Sequence, residues 1–296
     1  MMKSIIIYED KEILVIHKPA GIATQTAKLG QADVVSELKN YLKQKGENTY
    51  LAVVHRLDQP VEGLLVFAKT QNAAKKLSAD LQNGRLKKYY HALVPLQPAL
   101  DRKEGHLTDY LCKDGRTNLS RVVSRDNAEG KKAQLEWKLC GQYSQGENNY
   151  ALAEIELFTG RHHQIRVQMS HAGMPLLGDN KYGNEESEKL SHALGIRHTA
   201  LLANFVPNSV QNWLYRKNSY TEFFARAQFI KDFLSRIRYN FSKLGSVSDA
   251  KMLRIPLIFG ITFFFWTIKG TACQISSFMY HFRPYSLFKV SSSSTL

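Results

Sequence analysis

The sequence predicts an α+β domain on a mixed, mainly antiparallel β-sheet flanked by helices and loops. Three observations carry this. Apolar runs of strand length recur along most of the chain. Helical spacing of apolar residues appears in a few segments only. The two kinds of segment do not alternate strictly, as a doubly wound parallel sheet would require.

Taken in order, residues 4–18, SIIIYEDKEILVIHK, read as two short strands joined at Glu9-Asp10-Lys11, with Pro19 and Gly21 ending the pattern. Residues 33–45 read as a helix. Val34, Val35, Leu38, Tyr41 and Leu42 recur at helical spacing, Asp33 can cap the start and Gly46 can close the end. Leu51–Val54 and Leu64–Phe67 read as strands around a short turn. Residues 71–83 read as a second helix with Ala73, Ala74, Leu77 and Leu81 on one face, followed by Gly84. Residues 88–96, KYYHALVPL, read as a strand. The polar stretch 100–130 is expected to form loops and short strands. Gln134–Leu139 and Tyr150–Phe158 read as strands, and alternation along Leu152–Leu157 implies one solvated face. Residues 163–172 read as a helix ended by Gly173 and Pro175.

The chain carries 40 Lys and Arg against 26 Asp and Glu, so a polyanion is the expected partner, nucleic acid before membrane. Three separated cysteines, with no CxxC pair, argue against a zinc ribbon or a redox motif. The N-terminus does not read as a signal peptide, and a cytoplasmic location is expected. Composition changes near residue 205. Residues 206–296 hold 12 of the 15 phenylalanines, with 12 Lys and Arg against 3 Asp and Glu. The expected organisation is therefore a domain over 1–205 and an atypical basic extension over 206–296. Within it, residues 255–268, IPLIFGITFFFWTI, are uncharged but shorter than the roughly 20 residues of a spanning helix. An unstructured or non-native extension is the first reading, a membrane-associated segment or packed accessory element the others.

Three clusters carry chemistry. In HRLDQPVEG, residues 55–63, Asp58 sits in a turn between apolar strands, with Arg56 nearby and Pro60 and Gly63 shaping the loop. A carboxylate so held suits a nucleophile or base. In TGRHHQIRVQ, residues 159–168, Arg161, His162, His163, Gln164 and Arg166 suggest an anion site. Neighbouring residues point to different sides of a helix or strand, and no acid completes a ligand set, so no metal is expected. In LKKYYHALV, residues 86–94, lysines beside tyrosines suit stacking on unpaired bases, or an ordinary amphipathic strand.

Residues 55–70 resemble the signature HRLD-x-x-x-x-G-L-L-x-x-A-K-T of the RluA-type pseudouridine synthases. IIIYEDKEILVIHKPAGIAT, KKYYHALV and TGRHHQIRVQMSHAGMPLLGDNKYG resemble three further blocks, in the family's order and over roughly residues 4–205. The resemblance implies the pseudouridine synthase catalytic fold and isomerisation of uridine in rRNA or tRNA, without cofactor and by a monomeric enzyme; membrane contact of the tail is the secondary reading of residues 255–268. It implies that Asp58 attacks uracil C6 or ribose C1′, that Arg161 pairs with Asp58 and keeps it ionised, and that Tyr90 stacks on the flipped base and assists proton removal at C5. It further implies that Arg56 fills the gap left by the base, and that Ile165 packs near the aspartate beside Gly63. His55, Lys88, His163, Gln164 and Arg166 are assigned to RNA contact. No S4 domain is expected before the first block. The family's usual Thr-Ser is Val61-Glu62 here, altering the loop beside Asp58. Its last strand is only faintly echoed in Arg197–Pro207. The abrupt change in Phe and acidic content beyond it suggests a frameshifted or fused end, and if so the final strand would be missing. The alternative reading is an RNA-binding protein of this fold without turnover.

Overall fold

The computed structural model describes residues 5–26, 30–96 and 102–204, and the backbone of 253–257 and 261–265. In chain order the first part contains β1 (Ile6–Glu9), β2 (Ile13–Lys18), α1 (Val34–Gln44), β3 (Ala52–Val53), β4 (Glu62–Ala68), α2 (Gln71–Gln82), β5 (Lys88–Pro95), β6 (Glu104–Asp114), β7 (Leu119–Val123), β8 (Lys131–Gln145), β9 (Asn148–Leu157), α3 (Gln164–His171), α4 (Glu185–Ala193) and β10 (Leu201–Asn204). The helices begin where their caps predict. Asp33 accepts from the Ser36 N–H and Thr70 from the Ala73 N–H. Helix α4, with its Asn184 capping box, was not foreseen.

The ten strands form one sheet in the order β1-β2-β4-β10-β5-β9-β8-β6-β7, with β3 paired to β4. All pairings are antiparallel except β10 with β4. The mixed, mainly antiparallel α+β expectation is met. Stretch 100–130 differs: it holds the eleven-residue β6 and the five-residue β7. Its polar residues are solvated on strands near the sheet's edge, where one uncovered face removes the apolar signal.

Two cores explain the sequence patterns. On one face, Val34, Leu38 and Leu42 of α1 and Ile165 and Met169 of α3 pack on Leu14, Ile16, Leu65, Phe67, Tyr90 and Ala203. On the other, Ala73 and Leu77 of α2 and Leu190 and Leu194 of α4 pack on Ile13, Val15, Leu64, Val66 and Leu202. Strand β4 is covered on both faces, so its run is continuously apolar. In β9, Ala153, Ile155 and Leu157 are buried while Leu152, Glu154 and Glu156 are half-buried, as the alternation implied.

The strand that a frameshifted end would have removed is present. Leu201–Asn204 of the faint RHTALLANFVP echo is β10, fully buried between β4 and β5. Its four residues are too few to show periodicity, which is why the sequence hid it. A separate antiparallel pair joins β11 (Leu253–Leu257) and β12 (Ile261–Phe265), with Ile255 opposite Phe263. The uncharged segment therefore contains strands rather than a helix. Among the described residues no helix is long and apolar enough to cross a membrane. The rest of the 206–296 extension lies outside the described residues.

Candidate active site

The turn carrying Asp58 is fastened to the turn after β2. Thr24 Oγ1 donates to the Leu57 carbonyl at 2.9 Å and accepts from the Leu57 N–H at 3.2 Å. The Gly21 N–H donates to the Gln59 carbonyl at 2.8 Å, and Gln59 Nε2 donates back to the Gly21 carbonyl. Beneath both turns lies Lys18, with no exposed side-chain surface. Its Nζ donates to the carbonyls of Pro19, Ile22 and Gln59 at 2.9, 2.7 and 3.1 Å. Burial pulls its pKa down to about 8, against the opposing pull of Asp58 and Glu62. An ammonium collecting three carbonyls fixes the loop as a metal ion would; in the sequence Lys18 is only the last residue of the second strand.

Glycine 63 marks the crossing point of the sheet. In register, Lys18 faces Gly63, Gly63 faces Ala203, Ala203 faces Tyr90 and Tyr90 faces Ile155. Gly63 has φ +140°, and a Cβ there would stand inside the backbone of Ala203. The central strand β10 can approach β4 this closely because residue 63 has no side chain. The departure at Val61-Glu62 has a structural place too. Val61 is buried in the core beside Leu57 and Ile165, and Glu62 is buried with Oε1 at 2.9 Å from His17 Nε2.

Asp58 retains 29% of its side-chain exposure. The cation that approaches it is Arg166, whose Nη1 lies 3.4 Å from Asp58 Oδ2. Arg161, expected to pair with Asp58, is instead exposed here, and its Nε donates to the Lys132 carbonyl at 2.9 Å. Arg166 is clamped behind by Asp179, which accepts from Nε at 2.7 Å and Nη2 at 2.5 Å and has no exposed side-chain surface. Asp179 also accepts from the N–H groups of Lys181 and Tyr182, and the Tyr182 ring lies 5.1 Å below the Arg166 guanidinium. Asp179 and Tyr182 were missed as site residues; the Gly-Asp-x-x-Tyr-Gly block was their signal. Burial nevertheless pushes the Asp58 carboxyl above its ordinary value, with Arg166 pulling the other way. A raised carboxylate is a stronger nucleophile and base when ionised.

Three residues assigned to RNA are instead interior. Arg166 is spent on the two aspartates. Gln164 Oε1 accepts from Thr159 Oγ1 at 2.8 Å and the Arg161 N–H at 2.9 Å, while its Nε2 donates to the Gln134 carbonyl and Gln168. His163 is buried, with Nδ1 2.7 Å from the Tyr182 hydroxyl and Nε2 3.7 Å from Asp58 Oδ2. His163 caps α3 with φ +53°, a left-handed residue. That turn brings His162 and His163 together, ring centroids 3.7 Å apart, where neighbours were expected to diverge. Burial and then Arg166 pull the His163 pKa down to about 3, so the ring is neutral. Among the described residues no three His, Cys, Asp or Glu groups come together to hold a metal.

His55 also turns inward. Its Nε2 accepts from the Val66 N–H at 3.4 Å, and burial, aided by Lys88, lowers its pKa to about 3. Lys88 is half-buried and donates to the Thr159 carbonyl. Tyr90 is buried, and burial and then Asp58 raise its pKa. Arg56 is exposed beside Asp58, and Ile165 packs in the same core as Leu57 and Tyr90.

Residues 12–171 match the family model described as RNA pseudouridylate synthase. The chain belongs to this family. It is 37% identical over 179 residues to an uncharacterised RNA pseudouridine synthase of Bacillus subtilis, covering 60% of this chain and 57% of that protein. It is 36% identical over 181 residues to ribosomal large subunit pseudouridine synthase C of Rickettsia prowazekii, with 61% and 57% covered. The chain thus matches a little over half the length of these curated relatives. The human RNA pseudouridylate synthase domain containing 4 shares the fold, with TM-score 0.55, 22% identity and 68% of this chain and 83% of that one covered.

Proposed function

We propose that the protein isomerises uridine in RNA to pseudouridine, with residues 1–205 as the catalytic unit and Asp58 as the attacking group. The observation that carries the reading is one carboxylate, held by two stapled turns and backed by the Arg166–Asp179 pair, beside the buried ring of Tyr90. In the reaction the N1–C1′ bond breaks, the base turns, and a C5–C1′ bond forms; C5 loses a proton and N1 gains one. The change is redox-neutral. Arg166 holds Asp58 in place, and Asp58 bonds transiently to C6 or C1′ and is released. Arg56, exposed beside it, is placed to enter the stack as the base leaves. Relatives named as ribosomal large subunit synthases favour ribosomal RNA as the substrate, and a cytoplasmic monomer fits that substrate.

The test is tritium release from RNA carrying 5-tritiated uridine. Asp58→Asn is expected to lower it by about a thousandfold or more. Burial raises the Asp58 pKa, so its ionised form costs folding free energy at neutral pH, and the neutral amide is expected to melt no lower than the native chain. Full turnover in the variant overturns the reading. Salt-sensitive RNA binding by the native chain, without any pseudouridine formed, favours the non-catalytic alternative.

A further inference from the structure

A path of polar contacts runs from β7 to the Asp58 carboxylate: two hydrogen-bonded links and a final electrostatic contact. The Ser120 backbone N–H donates to the Tyr182 hydroxyl at 2.8 Å. That hydroxyl lies 2.7 Å from His163 Nδ1. On the far side of the ring, His163 Nε2 lies 3.7 Å from Asp58 Oδ2. The path is backed by a second strut, because Ser120 Oγ lies 2.8 Å from His162 Nδ1 and the two histidine rings stack.

The direction of the path follows from its fixed end. A backbone N–H can only donate, so one Tyr182 lone pair is taken by Ser120. Among the described residues the other polar neighbour of the hydroxyl is His163 Nδ1. Burial raises the Tyr182 pKa, so the phenol keeps its proton, and that proton is satisfied by donation to Nδ1. A neutral imidazole that accepts at Nδ1 carries its hydrogen on Nε2. The opposite end agrees: a bare Nε2 lone pair facing a carboxylate oxygen would be repelled, whereas an Nε2–H is attracted.

We propose that His163 is a positioning residue, held by Tyr182 and Ser120 in the neutral Nε2–H tautomer, which anchors Asp58 Oδ2 together with Arg166 and leaves Oδ1 to meet the substrate. Two donors of different kind then converge on one oxygen: a guanidinium at 3.4 Å and an imidazole at 3.7 Å. Both separations are longer than a tight hydrogen bond, and such contacts shorten when substrate closes a site. A neutral donor holds the carboxylate without adding the second full charge that would depress its nucleophilicity.

The tautomer is read directly by nitrogen-15 and proton correlation of the histidine rings in the full chain near neutral pH. The expected pattern for His163 is a protonated Nε2 and a bare Nδ1. A protonated Nδ1 overturns the proposal. This arm needs no turnover, so it stands or falls independently of the isomerase reading.

The kinetic arm rests on that reading, and native turnover is its entry condition. Tyr182→Phe is expected to lower kcat about tenfold, the size of one neutral hydrogen bond, with KM unchanged and the melting temperature somewhat lower, because the Ser120 N–H loses its acceptor. His163→Gln, whose amide N–H can take the place of Nε2–H, is expected to keep at least about ten times the kcat of His163→Asn, whose amide mimics Nδ1. A purely structural role predicts no such split. Native kcat in Tyr182→Phe, or equal kcat in the Gln and Asn variants, overturns the positioning role. Should both His163 variants fail to fold, the Tyr182→Phe value and the ring spectrum decide.

Discussion

Two turns meet at the site, and they are built on different physical terms. The Arg56–Val61 turn is held by backbone: Thr24 and Lys18 bond its carbonyls, and Gly63 lets β10 close against it. The Thr159–Arg166 turn is held by side chains: Gln164 closes it on itself, and His163 and Arg166 reach inward to Tyr182 and the aspartates. A turn fastened by backbone tolerates Val61-Glu62 in place of other residues, because its anchors lie elsewhere. A turn fastened by side chains depends on which residue falls on which helix face. Two arginines five positions apart therefore have opposite environments.

The largest effect on that contrast is expected from Arg166→Gln. The change leaves Asp179, with no side-chain exposure, without its bidentate partner. Stranding a buried charge costs about 3–5 kcal/mol. Urea denaturation should show that loss, and tritium release should fall by about a hundredfold or more as Asp58 loses its anchor. Arg166→Lys should rescue little, because an ammonium cannot form the two parallel bonds. Native stability in Arg166→Gln would mean that Asp179 finds another cation.

Gly63→Ala attacks the backbone-held turn where it is least forgiving. The added Cβ meets Ala203 main chain rather than a flexible side chain, at φ +140°. A loss of about 2–4 kcal/mol is expected from this combination of overlap and strain. Substitutions at Val61 or Glu62 that keep size and polarity should cost less. A Gly63→Ala chain that melts like the native one would show that β10 can move away without loss.

The next effect lies in the pH profile. Turnover requires ionised Asp58, so it falls as pH drops through the Asp58 pKa. Burial raises that pKa above the ordinary 3.8, so the acid limb should have its midpoint above that value. A midpoint at or below 3.8 would mean that Arg166 outweighs burial once RNA is bound.

Much of this fold was legible because the pattern and the burial agree. Helices α1 and α2 have a clean apolar stripe and a capping side chain, and β9 alternates because one of its faces is less covered. Strand β10 was hidden because four buried residues carry no period, and β6, next to the edge strand β7, because much of its length is solvated and needs few apolar residues. Within the site, the placing of Asp58 in a turn between apolar runs was legible. The choice between Arg161 and Arg166 was not. It depends on the left-handed residue His163, which rotates the start of α3 and turns Arg166 toward the core. A histidine at position 163 signals a positive φ only weakly, and spacing alone treats the two arginines as equivalent.

The smallest expected effect, and the one that separates the two arginines most cleanly, is that of Arg161→Ala. Arg161 is exposed, bonds a main-chain carbonyl through Nε, and is close enough to Lys88 to lower that lysine's pKa after burial has done so. Exposed Arg161 and half-buried Lys88 form a cation pair suited to a phosphate backbone. Arg161→Ala should raise KM about fivefold and reduce the salt dependence of RNA binding by about one ion, with kcat unchanged. The melting temperature should stay within about a degree, since one exposed side-chain bond is lost. A fall in kcat at unchanged KM would reverse the assignment: Arg161 would then reach Asp58 once RNA is bound, and the pairing that the sequence suggested would belong to the substrate complex.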